Sequence, residues 1–163
     1  LEQALRDSQQ AVRGAEDERE KTAAFMAALL GPERVLRFGA GEPGNAFLEH
    51  GWSAPEDGGV WTDGDMAAIT LPALPPGVVY VMECYGYATA ECPEQSVRVR
   101  CNDGPTVAEC LRWDERVRHI ALPSSSYARS TTIRIFLENP RVPESGTRRL
   151  GMWLQAIRIQ PGA

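Results

Sequence analysis

No run in this chain approaches the roughly 20 consecutive apolar residues that cross a bilayer. The longest, Ala23 to Leu30, is short and alanine-rich and reads as the end of a helix. Positive charge is scarce too. The formal net charge is −5, and Arg148-Arg149 is the only adjacent basic pair. A nucleic-acid binder needs a basic stripe, so a phosphate-backbone partner is excluded. Histidine is limited to His50 and His119, and no phosphate loop, dinucleotide fingerprint or Gly-x-Ser-x-Gly elbow occurs. His50-Gly51-Trp52-Ser53 places a serine near a histidine without that elbow. Any two acids can converge for glycoside hydrolysis, but nothing singles out a pair. These absences point away from an enzyme and away from any cofactor.

The four cysteines, Cys84, Cys92, Cys101 and Cys110, contain no Cys-x-x-Cys pair, which argues against a zinc site. They form either two disulfides or, as the preferred reading, small buried apolar positions in a reducing compartment. A chain of 163 residues has room for a conventional core and needs no staples. Leu1 starts directly in a charged helix, with neither an initiator Met nor a signal-like segment, as a piece of a longer protein would.

Two regions are expected: a helical stalk over 1–31 and a β-domain over 32–163. Residues 1–30 hold no proline and one glycine, and are rich in Glu, Arg, Gln and Ala. Leu1, Leu5, Ala11, Val12 and Ala15 make a thin apolar seam, whereas Glu16 to Lys21 is charged throughout. Such a helix belongs more often to a coiled coil than to itself, so a homo-oligomer through this helix is a candidate. Phe25, Met26, Leu29 and Leu30 form an apolar end suited to dock on the next domain, and Gly31-Pro32 stops the helix.

From residue 35 onward, short runs rich in Val, Ile, Tyr and Trp alternate with Gly, Pro, Asn and Asp clusters. About ten strands are expected, including Ala46-His50 and Val78-Tyr87. Val97, Val99 and Cys101 interleave with Arg98 and Arg100, the pattern of a half-buried antiparallel strand. Asn102-Asp103-Gly104 is a hairpin turn, because Asn and Gly tolerate positive φ. The class predicted is all-β: an antiparallel sandwich or jelly roll behind an α-helical, coiled-coil-like stalk.

The segment from His50 to Asp65 concentrates Trp52 and Trp61 with Glu56, Asp57, Asp63 and Asp65. Sugar sites use this mixture, a flat ring for the C–H face of a pyranose and carboxylates for its hydroxyls. Trp52, Glu56, Asp57, Trp61 and Asp63 are therefore the glycan-site candidates, with Arg149 as a secondary one. No metal is required, although the loop carboxylates could take Ca²⁺. The competing reading is architectural. Both indoles would then fill the core, Glu56 and Asp57 would bond turn backbone, and Glu56 would pair with Arg148 or Arg149. Tyr85 and Tyr87 share a strand face with Val79 and Val81 and are expected in the core. Trp113-Asp114-Glu115-Arg116 and the Ser124–Ser126 stretch with Tyr127 read as polar loops, and His119 as a rim residue.

Gly51 to Gly64, Gly-Trp-Ser-Ala-Pro-Glu-Asp-Gly-Gly-Val-Trp-Thr-Asp-Gly, resembles the Gly-Trp-Ser-x-Pro-Glu, Gly-x-Trp-Ser/Thr-x-Gly pattern of a bacterial β-sandwich domain. That domain is found beside glycosyltransferases and other proteins of surface-polysaccharide assembly. The closing run resembles it as well, from Ile133-Arg134-Ile135 and Asn139-Pro140 through Arg148-Arg149-Leu150-Gly151 to Ile157-Arg158-Ile159. Gly58 stands where the family has an aromatic, and no acid directly precedes Arg148. The resemblance implies a non-catalytic carbohydrate-binding module of a bacterial polysaccharide-biosynthesis protein. It further implies a glycan partner and a cytoplasmic setting, reaching the inner face of the membrane through the parent protein. The alternative is a structural, oligomerising or protein-interaction module without a glycan site, and a hydrolase or acyltransferase is a weaker third reading.

Overall fold

The computed structural model describes residues 1–72, 78–112, 117–123, 130–144 and 146–161. The expected loops at Trp113–Arg116 and Ser124–Tyr127 lie outside them. Helix α1 spans Glu2–Leu30. Local contacts along it include Gln3 Nε2 donating to Asp7 at 2.9 Å and, further on, Lys21 beside Asp17 at 3.4 Å. Such exposed contacts contribute little, about 0.3–0.5 kcal/mol each. The anchor is Phe25, fully buried with its ring edge-on to Phe47 at 5.9 Å. Gly31 turns to extended backbone at ψ 155°, its N–H bonded to the Ala27 carbonyl, and Pro32 prevents continuation. The apolar end of the helix thus docks on the β-domain core through Phe25, while Met26 stays 47% exposed.

Among the described residues nine strands follow: β1 (Val35–Arg37), β2 (Val60–Asp63), β3 (Met66–Pro72), β4 (Val78–Gly86), β5 (Glu94–Cys101), β6 (Thr106–Arg112), β7 (Arg118–Pro123), β8 (Ser130–Leu137) and β9 (Leu150–Pro161). They form two antiparallel sheets. One has the order β1-β9-β4-β7, with β2 also on β9, and the other β3-β8-β5-β6. β1 and β2 lie end to end along one edge of β9, the first against 156–158 and the second against 150–154. Taking β2 through β9 as eight strands, this is the jelly-roll order, so the predicted class holds.

Alternation explains the core. Val97, Val99 and Cys101 point inward from β5, and Ile133, Ile135 and Leu137 from β8, while Arg98, Arg100 and Arg134 face out. The hairpin at Asn102 forms as expected, with Asn102 at φ 46° and Gly104 N–H bonded to the Cys101 carbonyl at 2.9 Å. Cys84 and Cys101 are buried, and all four thiols are free. Burial pushes the Cys84 thiol up to about 12 and the Cys101 thiol to about 11.

Two expectations need correction. Ala46-His50 is not a strand. Pro43–Phe47 is a 3-10 turn, and only Leu48 makes an isolated bridge, to Ile69. Pro43 suits the first turn, and the Asn45 side chain ties it back to Gly39, donating to its carbonyl at 2.6 Å. Tyr85 and Tyr87, for their part, are not in the core. The inward residues of β4 are Tyr80, Met82 and Cys84, all fully buried, so the opposite parity faces outward.

Candidate functional site

The Gly51–Gly64 segment forms a loop and then β2. Glu56 and Gly59 bond one another through both backbone N–H groups, at 2.9 and 3.2 Å, and Gly58 between them sits at φ +86°. That conformation is open to glycine at little cost, which accounts for Gly58 where an aromatic was expected by resemblance. The loop is tied to the end of the chain. Arg148 donates to Ser53 Oγ at 3.2 Å and to the Glu56 carboxylate at 3.4 Å. Asp63 accepts the Arg149 backbone N–H at 2.8 Å, and the Arg149 guanidinium donates to Asp65 at 2.6 Å. Arg149 thus engages both acids, Asp65 through its guanidinium and Asp63 through its main chain, so a Ca²⁺ site there is disfavoured. Among the described residues no three His, Cys, Asp or Glu side chains are grouped as a metal site.

The six candidates separate in space. Trp52 turns inward: it packs against the core, and its indole N–H donates to the Ala68 carbonyl at 2.9 Å. Its place is architectural. Glu56 is exposed beside Arg148, and Asp57 is exposed at the loop tip. Asp63 and Arg149 bond each other through the Arg149 main chain. Trp61 turns outward. It lies between inward-facing Val60 and Thr62 on β2 and opposite Trp153 on β9.

Around Trp61 the structure assembles rings that the sequence scatters. Its centroid is 5.1 Å from Trp153, 5.6 Å from Tyr87 and 6.0 Å from Tyr85. It stands at 86° to both tyrosines, while Tyr85 and Trp153 stack at 28°. Trp153 is 7% exposed and forms the floor, and Trp61, Tyr85 and Tyr87 remain half-buried. The Trp153 indole N–H is buried without an acceptor among the described residues. Leaving such a donor unpaired costs about 1–3 kcal/mol. The result is an aromatic platform on the outer face of the β1-β9-β4-β7 sheet.

Polar groups frame it. Burial raises the Tyr85 phenol above its usual value of 10.0, and the nearby Glu56 charge adds to the shift. Tyr85 therefore keeps its hydroxyl proton at neutral pH and can donate it. Two residues along the same face of β4, Glu83 accepts from Arg158 and lies 3.7 Å from His119 Nε2. His119 is largely exposed at the rim, as expected. The sequence places Tyr85 and Tyr87 on one strand face but joins neither them nor Trp153 to Trp61. Glu83 was the available signal, because a charged residue on the Tyr85 face marks that face as outward.

No family model matches the chain, and no curated protein matches it either. Several solved structures do. One is BtGH115A, a family GH115 4-O-methyl-α-glucuronidase with specificity for decorated arabinogalactans (12% identity, TM-score 0.44, covering 64% of this chain and 14% of that one). Another is TmCBM61 in complex with β-1,4-galactotriose (6% identity, TM-score 0.40, covering 63% and 70%). A third is a family 35 carbohydrate-binding module from an environmental isolate (15% identity, TM-score 0.39, covering 72% and 81%). Two of these three are carbohydrate-binding modules.

Proposed function

We propose that this chain is a non-catalytic carbohydrate-binding module that stacks a sugar ring on the Trp61 platform. The observation that carries the reading is the gathering of Trp61, Tyr85 and Tyr87 on an outward sheet face over Trp153. Half-exposed rings on a rigid sheet lose little entropy on binding and offer flat apolar area to the C–H face of a pyranose. The Glu56 carboxylate and the Tyr85 hydroxyl would meet the ring hydroxyls, charged acceptors contributing about 1.5–3 kcal/mol each. Linked to a polysaccharide-building enzyme of a bacterial cell, even a weak module would raise the local glycan concentration. The sequence resemblance is the support for that parent and for its cytoplasmic placement.

Titration of intrinsic tryptophan fluorescence with a polysaccharide panel tests the proposal. Saturable change that disappears in Trp61→Ala supports it, and silence across the panel from a folded protein rejects it.

The stalk favours a second role beside the first. Leu5, Val12 and Met26 are 61%, 55% and 47% exposed and fall at one heptad position of α1. A self-associating helix would present such a seam, although Arg19 interrupts it. Light scattering of the chain against a Leu5→Glu, Val12→Glu variant decides this: a wild-type mass equal to the variant's removes the role.

A further inference from the structure

Beyond Tyr87 the platform runs into an open cleft of about 770 Å³. One wall is the stretch from Tyr87 to Cys92, and the other is Arg141 to Glu144. Both walls hang from the start of β9. The Tyr87 N–H bonds the Gly151 carbonyl at 2.7 Å, and Arg141 and Leu150 exchange backbone bonds at 2.8 and 2.7 Å. The cleft is therefore built on the strand that carries Trp153, and Tyr87 belongs to both surfaces. Its size falls within the roughly 300–1,000 Å³ typical of small-molecule sites.

Arg141 is the cation of this cleft. Its Nε is buried with no hydrogen-bond partner among the described residues, although the residue as a whole is only half-buried. A shielded guanidinium donor normally finds an acceptor, since leaving it bare is costly. Glu91 and Glu144 line the same cleft, and among the described residues neither is ion-paired with Arg141. The Thr89 hydroxyl completes the polar lining. One guanidinium and two carboxylates would repel a polyanion on balance and offer a cation a competing positive charge. A neutral polyol suits them, because each sugar hydroxyl donates to a carboxylate and accepts from the guanidinium at once.

We infer that this cleft is a second subsite, which takes the next unit of a neutral oligosaccharide whose neighbouring ring lies on the Trp61–Tyr87 platform. The inference rests on the glycan reading above and adds a ligand class, neutral and longer than one ring.

Calorimetric titration of the full chain tests it, with glucose, mannose and galactose as single rings, their neutral β-1,4-linked tetrasaccharides, and oligogalacturonate as the anionic counterpart. A neutral tetrasaccharide binds more tightly than its monosaccharide. Arg141→Gln and Glu144→Gln each weaken the tetrasaccharide about tenfold, as loss of one charge-assisted hydrogen bond does, and leave the monosaccharide unchanged. Glu144 is exposed, so its variant keeps the fold if the arginine variant does not. Equal affinity for both lengths, or both variants binding like wild type while Trp61→Ala abolishes binding, overturns the subsite and leaves the platform standing. Preference for oligogalacturonate overturns the neutral class. Absence of binding to any of these sugars overturns both readings together.

Discussion

Gly59 lies against the indole of Trp153 so closely that a Cβ there would overlap the ring and come within 2.7 Å of the Leu154 carbonyl oxygen. The turn that carries Glu56 and the floor of the aromatic platform are thus in direct contact, and the contact requires glycine for space rather than for backbone angle. Gly59→Ala is expected to destabilise the protein by about 1–3 kcal/mol, the usual cost of overpacking. Near-ultraviolet circular dichroism should change with it, because Trp153 must shift beneath Trp61. An unaltered aromatic spectrum in a fully stable variant would contradict the packing described.

The two tryptophans of the loop should behave differently on truncation. Trp52 packs on the core and donates to Ala68, so Trp52→Ala should cost about 3 kcal/mol and Trp52→Phe about 1 kcal/mol. Trp61 is on the outer face, so Trp61→Ala should cost about 1–2 kcal/mol while removing glycan affinity. Denaturant melts beside sugar titrations separate the roles. The reverse ranking, with Trp61 the more costly loss, would make Trp61 the architectural residue.

Glu56 and Arg148 form an exposed pair at 3.4 Å. Glu56→Gln should change stability by no more than about 1 kcal/mol, as exposed ion pairs do. It should also lower the Tyr85 pKa, since the Glu56 charge contributes to raising it. Ultraviolet difference titration of the phenol reads this directly. A Tyr85 titration identical in both proteins would show that Glu56 does not reach it.

Cys84 and Cys101 should resist alkylation in the native protein at mildly alkaline pH and react on unfolding, because burial holds both thiols protonated. The same shifts bear on stability. Folded pKa values of about 12 and about 11 lie above the usual thiol value of 9.0. The favourable contribution of the neutral thiols is complete below pH 9.0 and is lost as pH rises towards the folded values. A Cys84→Ala, Cys101→Ala variant should therefore show a shallower alkaline decline than wild type between these limits. Equal slopes would mean the thiols are not the groups responsible.

Much of the architecture could be read from the chain because local chemistry and tertiary demand agree there. Val97-Arg98-Val99-Arg100 admits one orientation, since arginine cannot enter the core, and Asn102 supplies the left-handed angle its turn requires. The helix is legible from what it lacks, with Gly31-Pro32 marking its end. Ala46-His50 misleads because its apolar residues are compatible with a strand, whereas Pro43 and the Asn45–Gly39 bonds close a turn just ahead of it.

The site shows the limit most clearly. By itself the sequence determined that two sheets would pack face to face, that a helix would precede them, and that indoles and acids would crowd one loop. Which rings meet was settled only by tertiary structure. β4 carries large apolar side chains on both faces, and Glu83 alone marks Val81-Glu83-Tyr85 rather than Tyr80-Met82-Cys84 as the outward set. On β9, Gln155 is an extra residue opposite Glu83-Cys84, which lets Trp153 face outward while Met152, Leu154, Ile157 and Ile159 all reach the core. Side-chain direction in a sheet is a matter of parity, and one bulge reverses parity downstream. Trp61, Tyr85, Tyr87 and Trp153 therefore meet only once β2, β4 and β9 are in register.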